Sequence, residues 1–546
     1  MELLKNIKSI TVALAITITF SACNDYVEEE IYSSVTSENF INENNADQLI
    51  VGIYSKLRNV YKNYSYQFLG TDIFTVKTEV SDTNAENDYF NFLAPRTNGY
   101  WSSNYNVVAK ANTAINRFEN QIVWSTGKLP EKAYGIAQAR ALRALAFFNL
   151  AQQYGGVVLD TEEPLTIRTN YKRATEQETY AFIIAELEAA IPNLQNAPTT
   201  GRFSKRAAQH LLSQVYLTRA YKSYKAPTDF ATAAALAESA IGNYDIRTQT
   251  YAKVFDFDNQ VNAEVLFAIQ WGNVGVLAEK GNTKHSLFQY PIFNYPGMDR
   301  VNQYGGTPTG GMPTQYFYSL FAANDTRDDA TFFRAIIANK VSGTIKVGDT
   351  IVYYPKVALN STELAKRLNR YWVYQPNQYG YVKPADVSGA KYLYSTHPDP
   401  FVHFPIFKKF WDKFINYEAE GSRDTFVFRV AESHLLAAEA HLGAGNTAQA
   451  LFHLNRVRER ATGVANHYTV ATIDNILVER ALELAGEENR WAVLKRTGKL
   501  EERIKLYNPH VIDHGAFDPK QHLLRPIPTD EITISPKTME QNPFYD

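Results

Sequence analysis

The residue with the most distinctive chemistry in this 546-residue chain is Cys23, which is its only cysteine. Cys23 lies three positions after the end of a short apolar segment, residues 10–20, which follows a basic start carrying Lys5 and Lys8. The segment is too short to span a bilayer as a helix, and its position is typical of a signal segment. A cysteine placed directly after such a segment can carry lipid.

Two small residues, Ser21 and Ala22, precede Cys23 and resemble the lipobox of bacterial lipoproteins. On this interpretation residues 1–22 are a lipoprotein signal peptide, and Cys23 is acylated as the first residue of the mature protein. The alternative is an ordinary secretory signal peptide followed by a chance cysteine. Residues 23–45 begin with an acidic tether, which resembles the export signal of lipoproteins displayed on the outer face of some Gram-negative cells. We therefore expect a lipid-anchored outer-membrane protein that faces the cell exterior.

The sequence lacks the motifs of common enzyme chemistries, namely G-x-S-x-G, H-E-x-x-H, a P-loop, and G-x-G-x-x-G after a strand. A surface glycoside hydrolase is the main alternative class, but it needs two carboxylates across a cleft, and no such context is recognisable. His434 and His441 lie seven residues apart on one predicted helix, too far to share a metal, so we expect both on the helix surface. We expect a binding protein without catalytic residues, metal or cofactor.

The composition narrows the possible partners. The 55 Lys and Arg residues against 57 Asp and Glu residues give a net charge of −2, without the basic excess that nucleic-acid binding needs. Aromatic residues make up 13% of the chain, and tyrosine is the commonest of them. Tyrosine offers a flat apolar face and a hydroxyl, which suits stacking against sugar rings. A large core with tyrosines at the surface is the alternative explanation.

Apolar periodicity predicts a first helical region over residues 46–244. The clearest element is the helix at residues 130–154, where alanines recur on one stripe before a Gly-Gly stop. Thr175 begins a capping box for the next helix, and Ser204 is predicted to cap another. Helix pairs joined by short turns are typical of tetratricopeptide-like scaffolds.

The periodicity fades over residues 245–424, where Gly, Pro, Asn and aromatic residues are frequent. We expect an irregular, loop-rich insert with short strands near residues 264–271 and 345–354, and long irregular segments often bind ligands. Helical patterns return over residues 425–546. The prediction is a mainly α fold: tetratricopeptide-like helical hairpins that carry a large, irregular, aromatic-rich ligand-binding insert. An intracellular helical-repeat adaptor has a similar scaffold but conflicts with the signal segment.

Several separate motifs carry a family resemblance. In the C-terminal third they are FRVAESHLLAAEA at 428–440, ERALELAGEENRW at 479–491, PIPTDEI at 526–532 and QNPFY at 541–545. In the N-terminal half RALRALAFFNLAQQYGG occupies residues 140–156. Together these motifs are similar to those of the SusD/RagB family of outer-membrane nutrient-binding lipoproteins. Their charged residues are spaced for buried or bridging ion pairs, so we interpret Glu432, Glu439, Arg480, Glu483 and Arg490 as structural.

The resemblance places ligand residues in the segment before the helix near residue 105 and in the variable middle region. Trp101 and Asn104 lie one helical turn apart, and a stacking ring beside an amide suits the two faces of a sugar. The alternative is that Trp101 packs in the core of its helix. The further candidates are Tyr295, Tyr304 and Trp372 as aromatic residues, and Arg96 and Asp72 as polar partners of hydroxyl groups.

The resemblance also implies a role. A protein of this family captures a glycan oligomer or polysaccharide at the cell surface and acts as a lid over a TonB-dependent transporter of the SusC type. The alternative cargo is a peptide or another nutrient taken up by the same lid mechanism.

Overall fold

The computed structural model describes most of the chain from residue 41 to residue 545. The described residues are 41–62, 65–76, 89, 98–166, 168–197, 200–272, 281–290, 292–300, 303–304, 311–381, 402–414, 420–514 and 516–545. Cys23, Arg96 and the predicted signal peptide therefore lie outside the described residues.

The helices of the first half of the chain are long except for one of four residues, Ser65–Phe68. They are α1 Asp47–Lys62, α2 Ser65–Phe68, α3 Asn98–Asn120, α4 Leu129–Tyr154, α5 Glu176–Ala190, α6 Lys205–Ala220 and α7 Asp229–Ile241. The helices formed by the described residues in the middle of the chain are short. They are α8 Tyr251–Val254, α9 Lys284–Leu287, α10 Gln315–Ser319, α11 Arg327–Thr331 and α12 Ser361–Leu368.

Long helices return in the C-terminal region and are followed by shorter ones. They are α13 Val430–Gly443, α14 Thr447–Thr462, α15 Ile473–Leu484, α16 Arg490–Arg496, α17 Leu500–Tyr507, α18 Pro509–His514, α19 Pro519–His522 and α20 Thr529–Ile534. The strands are all short. They are β1 Phe74–Val76, β2 Val265–Ile269, β3 Gly311–Pro313, β4 Ala335–Ile337, β5 Thr350–Tyr353, β6 Trp372–Val373, β7 Gly380–Tyr381, β8 Val402–His403 and β9 Thr425–Arg429.

Local sequence explains where the long helices begin and end. The Thr175 hydroxyl accepts a hydrogen bond from the backbone N–H of Glu178, and the Glu178 carboxylate accepts from the Thr175 N–H, which completes the predicted capping box of α5. Ser204 caps α6 through the backbone N–H of Ala207. Helix α4 stops at Gly155, whose positive φ of 74° is easily reached only by glycine.

The long helices pack as neighbours along the chain. Helix α3 packs on α4, α4 on α5, α6 on α7, and α13 on α14, while α7 also packs against α13 and so joins the two helical regions. The alanine stripe of α4 is fully buried at these contacts, because small side chains let neighbouring helices approach closely. The predicted mainly α fold is confirmed; the tetratricopeptide-like stacking and the domain boundaries stay predictions.

Two small sheets pair strands of the middle region with strands outside it, and two others lie within the middle region. Strand β1 pairs antiparallel with β3, and β2 pairs antiparallel with β9 just before α13. Strands β4, β5 and β6 form a three-stranded sheet in that order, and β7 pairs with β8. The two strands predicted in the insert are thus present as β2 and β5.

The charged residues of the C-terminal motifs form a buried ion network, as predicted. Glu483 contacts the guanidinium groups of Arg327, Arg429 and Arg460, and all four side chains are almost fully buried. Arg480 pairs with Glu432 at 3.1 Å. The other two residues interpreted as structural also form ion pairs: Glu439 with Arg496 and Arg490 with Asp72, each at 2.7 Å. Among the described helices, none is both long and apolar enough to cross a membrane.

Candidate ligand-binding site

A cavity of about 630 Å³ lies between the middle region and the C-terminal helices. Its walls come from β1, from α10, from the segments around β4 to β6, and from α17 and α18. Exposed side chains at the rim, including Gln315, Ser319 and Lys356, show that the cavity is open to solvent. Ligand sites usually occupy roughly 300–1,000 Å³, so this cavity is large enough to bind a small ligand.

A stacked pair of tyrosines forms one wall of the cavity. The rings of Tyr316 and Tyr507 lie 3.6 Å apart between centroids with an interplanar angle of 12°. Both side chains are only partly buried, and Leu506 and Ile512 beside them are 58% and 53% exposed. The result is a continuous aromatic and apolar surface that solvent can reach.

Buried charges hold this tyrosine pair in place. Arg503 donates a hydrogen bond of 3.0 Å from Nη1 to the hydroxyl of Tyr316. The same nitrogen donates to Asp72, which also accepts two hydrogen bonds from Arg490. Burial by itself raises the pKa of Asp72, but the positive charges of Arg490 and Arg503 outweigh burial and lower it below its ordinary value. Asp72 is therefore a fixed anion that orients Arg503 toward Tyr316.

The end of α17 is fixed to β1 by Asn508. The Asn508 side-chain amide donates hydrogen bonds to the backbone carbonyls of Thr71, at 3.0 Å, and Phe74, at 3.2 Å. Its oxygen accepts from the Thr75 hydroxyl at 3.3 Å. Because Tyr507 directly precedes Asn508, these contacts determine where the Tyr507 ring enters the cavity wall.

Another part of the cavity lining combines aromatic rings with cationic side chains. Tyr318 and Tyr379 pack edge to face with centroids 5.2 Å apart. The Arg334 guanidinium lies 5.8 Å from the centre of the Tyr379 ring and pairs with Asp328. Burial disfavours the charged form of Arg334, but its hydrogen bonds with Asp328 raise its pKa overall, so it stays cationic. The cavity thus offers stacking surfaces beside polar and positively charged groups.

Trp101 and Asn104 lie in the helical core. Trp101 is 2% exposed, and its ring packs against Tyr105 and Tyr154 with centroids 4.9 Å away in both cases. Asn104 is fully buried, where it donates to the carbonyl of Tyr100 and accepts from Asn149. Both residues satisfy contacts within the helical core, which argues against the expectation that a stacking ring and an amide face a ligand here.

Two aromatic candidates in the middle region contact each other. Tyr295 is 2% exposed, hydrogen-bonds Tyr374 through its hydroxyl at 2.8 Å, and packs edge to face on the partly buried Trp372 at 5.2 Å. Tyr304 is also 2% exposed and accepts a hydrogen bond from the backbone N–H of Ile337. The burial of Tyr295 and Tyr304 places them in the local core, which argues against the expectation that they face a ligand.

Of the two polar candidates, Asp72 lies among the described residues and Arg96 does not. Asp72 is fully buried and pairs with arginines, which argues against the expected contact with ligand hydroxyls and favours the positioning role described above. Arg96 lies outside the described residues, and its role stays a prediction.

Sequence reasoning missed the tyrosine pair that lines the cavity. In α17 the residues Leu500, Arg503 and Ile504 form the buried stripe. Leu506 is an apolar residue off that stripe, directly beside Tyr507, and this out-of-phase position was the available signal.

Family models match both halves of the chain. The model described as the SusD family matches residues 263–545, and the model described as starch-binding associating with outer membrane matches residues 25–217. A SusD-like protein of Bacteroides ovatus is 27% identical over 407 residues, which covers 73% of this chain and 65% of that protein. The chain thus spans slightly less than two thirds of that relative.

Solved structures show the same fold. A laminarin-binding SusD-like protein superposes with a TM-score of 0.67 at 22% identity, covering 92% of this chain and 100% of that one. Surface glycan-binding protein A from Bacteroides thetaiotaomicron, solved in complex with laminarihexaose, gives a TM-score of 0.68 at 20% identity, with 92% and 100% coverage.

Proposed function

The chain belongs to the SusD family, and on that basis we propose that it binds a glycan at the cell surface and delivers it to a TonB-dependent transporter of the SusC type. The ligand is an oligosaccharide or polysaccharide that enters the cavity bounded by Tyr316 and Tyr507. A peptide or another nutrient carried by the same mechanism is the alternative cargo.

The observation that carries this proposal is the stacked, partly exposed tyrosine pair on an open cavity of about 630 Å³. A sugar ring has an apolar face that packs on an aromatic ring, while its hydroxyl groups need polar partners at the edge. Gln315, Ser319 and Lys356 supply such partners at the rim. The solved relatives named for binding laminarin and glycans support the same ligand class.

We propose binding without turnover. Glycoside hydrolysis requires two carboxyl groups on either side of the scissile bond. No aspartate or glutamate is among the described residues that line the cavity. Asp328 and Asp329 near the rim already pair with Arg334 and Lys356. The function needs only shape, stacking and hydrogen bonds.

Replacing Tyr507 with alanine is expected to weaken glycan binding by about 1–3 kcal/mol, roughly 5-fold to 160-fold in Kd, because one stacking ring is lost. The measurement is isothermal titration calorimetry with the polysaccharide that binds best in a panel. Tyr244→Ala is the matched control, since Tyr244 is also partly buried but does not line the cavity.

Two outcomes would contradict the proposal. Unchanged affinity of a folded Tyr507→Ala variant would place the glycan site elsewhere. Accumulation of new reducing ends during incubation with purified protein would move the chain to the hydrolase class.

We also propose that Cys23 anchors the protein in the outer membrane through lipid. The family model described as associating with the outer membrane and the signal-like segment before Cys23 support this location. Cys23→Ala is expected to abolish labelling with radioactive palmitate and to remove the protein from the outer-membrane fraction, whereas the control Ser21→Ala keeps both. A Cys23→Ala protein that still fractionates with the outer membrane would refute the anchor.

A further inference from the structure

Three metal-ligating side chains converge on one point of the helical scaffold, far along the sequence from the cavity residues. They are Glu238 near the end of α7, His441 near the end of α13 and His453 in α14. One ligand atom from each residue lies within 4.8 Å of the other two. The cluster therefore lies where the two helical regions of the molecule meet.

The distances between these ligand atoms are close to those between two ligand atoms that bind the same metal ion. Oε1 of Glu238 lies 2.9 Å from Nε2 of His441 and 3.4 Å from Nε2 of His453. Zinc binds nitrogen and oxygen at roughly 2.0–2.2 Å in tetrahedral geometry, which puts two ligand atoms roughly 3.3 Å apart. Both imidazoles point their Nε2 atoms at the same carboxylate oxygen, so small side-chain movements would admit an ion between the three groups.

A neighbouring histidine holds one of these rings. Nδ1 of His453 lies 2.9 Å from Nδ1 of His434 and forms a hydrogen bond with it, which leaves Nε2 of His453 directed at Glu238. Metal-binding histidines usually have the second ring nitrogen fixed in this way. His434 is 4% exposed, so the expectation that it lies on the helix surface is corrected: it supports His453 from the interior.

We propose that Glu238, His441 and His453 form a binding site for one divalent transition metal of the zinc type. Imidazole and carboxylate ligands select zinc, nickel or cobalt over calcium and magnesium, which prefer oxygen ligands. The side chain of Glu238 is 46% exposed, so an ion can enter from solvent and keep a water as its fourth ligand. Because the ligands come from three helices, the ion ties α7 to the hairpin formed by α13 and α14.

The test uses purified, chelator-treated full-length protein and zinc chloride. Isothermal titration calorimetry should show one equivalent of zinc bound, and cobalt chloride should produce the visible absorption bands of a four- or five-coordinate site. Zinc should also raise the Tm, because it binds only the folded state. Calcium chloride should produce none of these effects.

Two variants and a control test whether zinc binds at this cluster. Glu238→Gln and His441→Gln are expected to weaken zinc binding at least tenfold and to remove the Tm increase. Both residues reach solvent in part, so these variants should fold, which circular dichroism checks. His467→Gln removes an exposed histidine outside the cluster and should bind zinc normally. Absence of zinc binding by the wild type, or equal affinity in the Glu238 and His441 variants, would overturn the proposal.

Discussion

Replacing Glu483 with glutamine is expected to lower the free energy of unfolding by about 3–5 kcal/mol. Glu483 is fully buried and contacts Arg327, Arg429 and Arg460. Glutamine keeps the size of the side chain but removes the negative charge, which leaves several buried guanidinium groups with too little compensation. Urea unfolding at pH 7 measures the loss.

The same carboxylate makes the effect depend on pH. Burial by itself raises the pKa of Glu483, but the charges of Arg460, Arg429 and Arg327 outweigh burial and lower it from 4.5 to about 2. A carboxyl whose pKa is depressed in the folded state stabilises the protein fully above its unfolded pKa, and this stabilisation is lost as the pH falls through the folded pKa. The difference in unfolding free energy between wild type and Glu483→Gln should therefore shrink as the pH falls below about 4.5 toward 2.

Glu502→Gln is the matched control on a neighbouring helix. Glu502 pairs with Lys499 at 2.9 Å, but its side chain is 53% exposed. Exposed pairs contribute little, so this variant should change stability by less than about 1 kcal/mol. A Glu483→Gln protein as stable as Glu502→Gln would mean that the buried network does not hold the C-terminal helices together.

Replacing Trp101 with alanine is expected to cost about 3–5 kcal/mol of stability and to leave glycan affinity unchanged. The ring is 2% exposed between Tyr105 and Tyr154, so its removal leaves a cavity in the core of α3 and α4. The Tm and calorimetric titration with the best ligand, measured on the same preparation, test both parts.

Trp101→Ala should mainly lower stability, whereas Tyr507→Ala should mainly lower glycan affinity. The Tyr507 variant is expected to lose affinity with a small change in Tm, since its ring is partly exposed. A Trp101→Ala protein that keeps its Tm but loses affinity would show that Trp101 contacts the glycan. It would contradict the proposal that the cavity beside Tyr507 is the binding site.

Local sequence determined the helical architecture of this protein. Capping residues such as Thr175 and Ser204, and the stop at Gly155, act within a few residues, so their effects can be read without knowing the fold. The charged positions in the C-terminal motifs were also recognisable as structural, because buried helices tolerate charges only in pairs. The match of the SusD family model to residues 263–545 confirms the family that these motifs indicated.

Tertiary structure alone decided which side chains meet. Trp101 and Asn104 suit a sugar by type and spacing, but packing of α3 on α4 buries them. Tyr316 and Tyr507 stack although 190 residues separate them, because Asp72, Arg503 and Asn508 fix β1, α10 and α17 to one another. In the same way Glu238 reaches two histidines on other helices. Periodicity records which face of a helix is buried, whereas a site depends on contacts between distant elements, which no local pattern encodes.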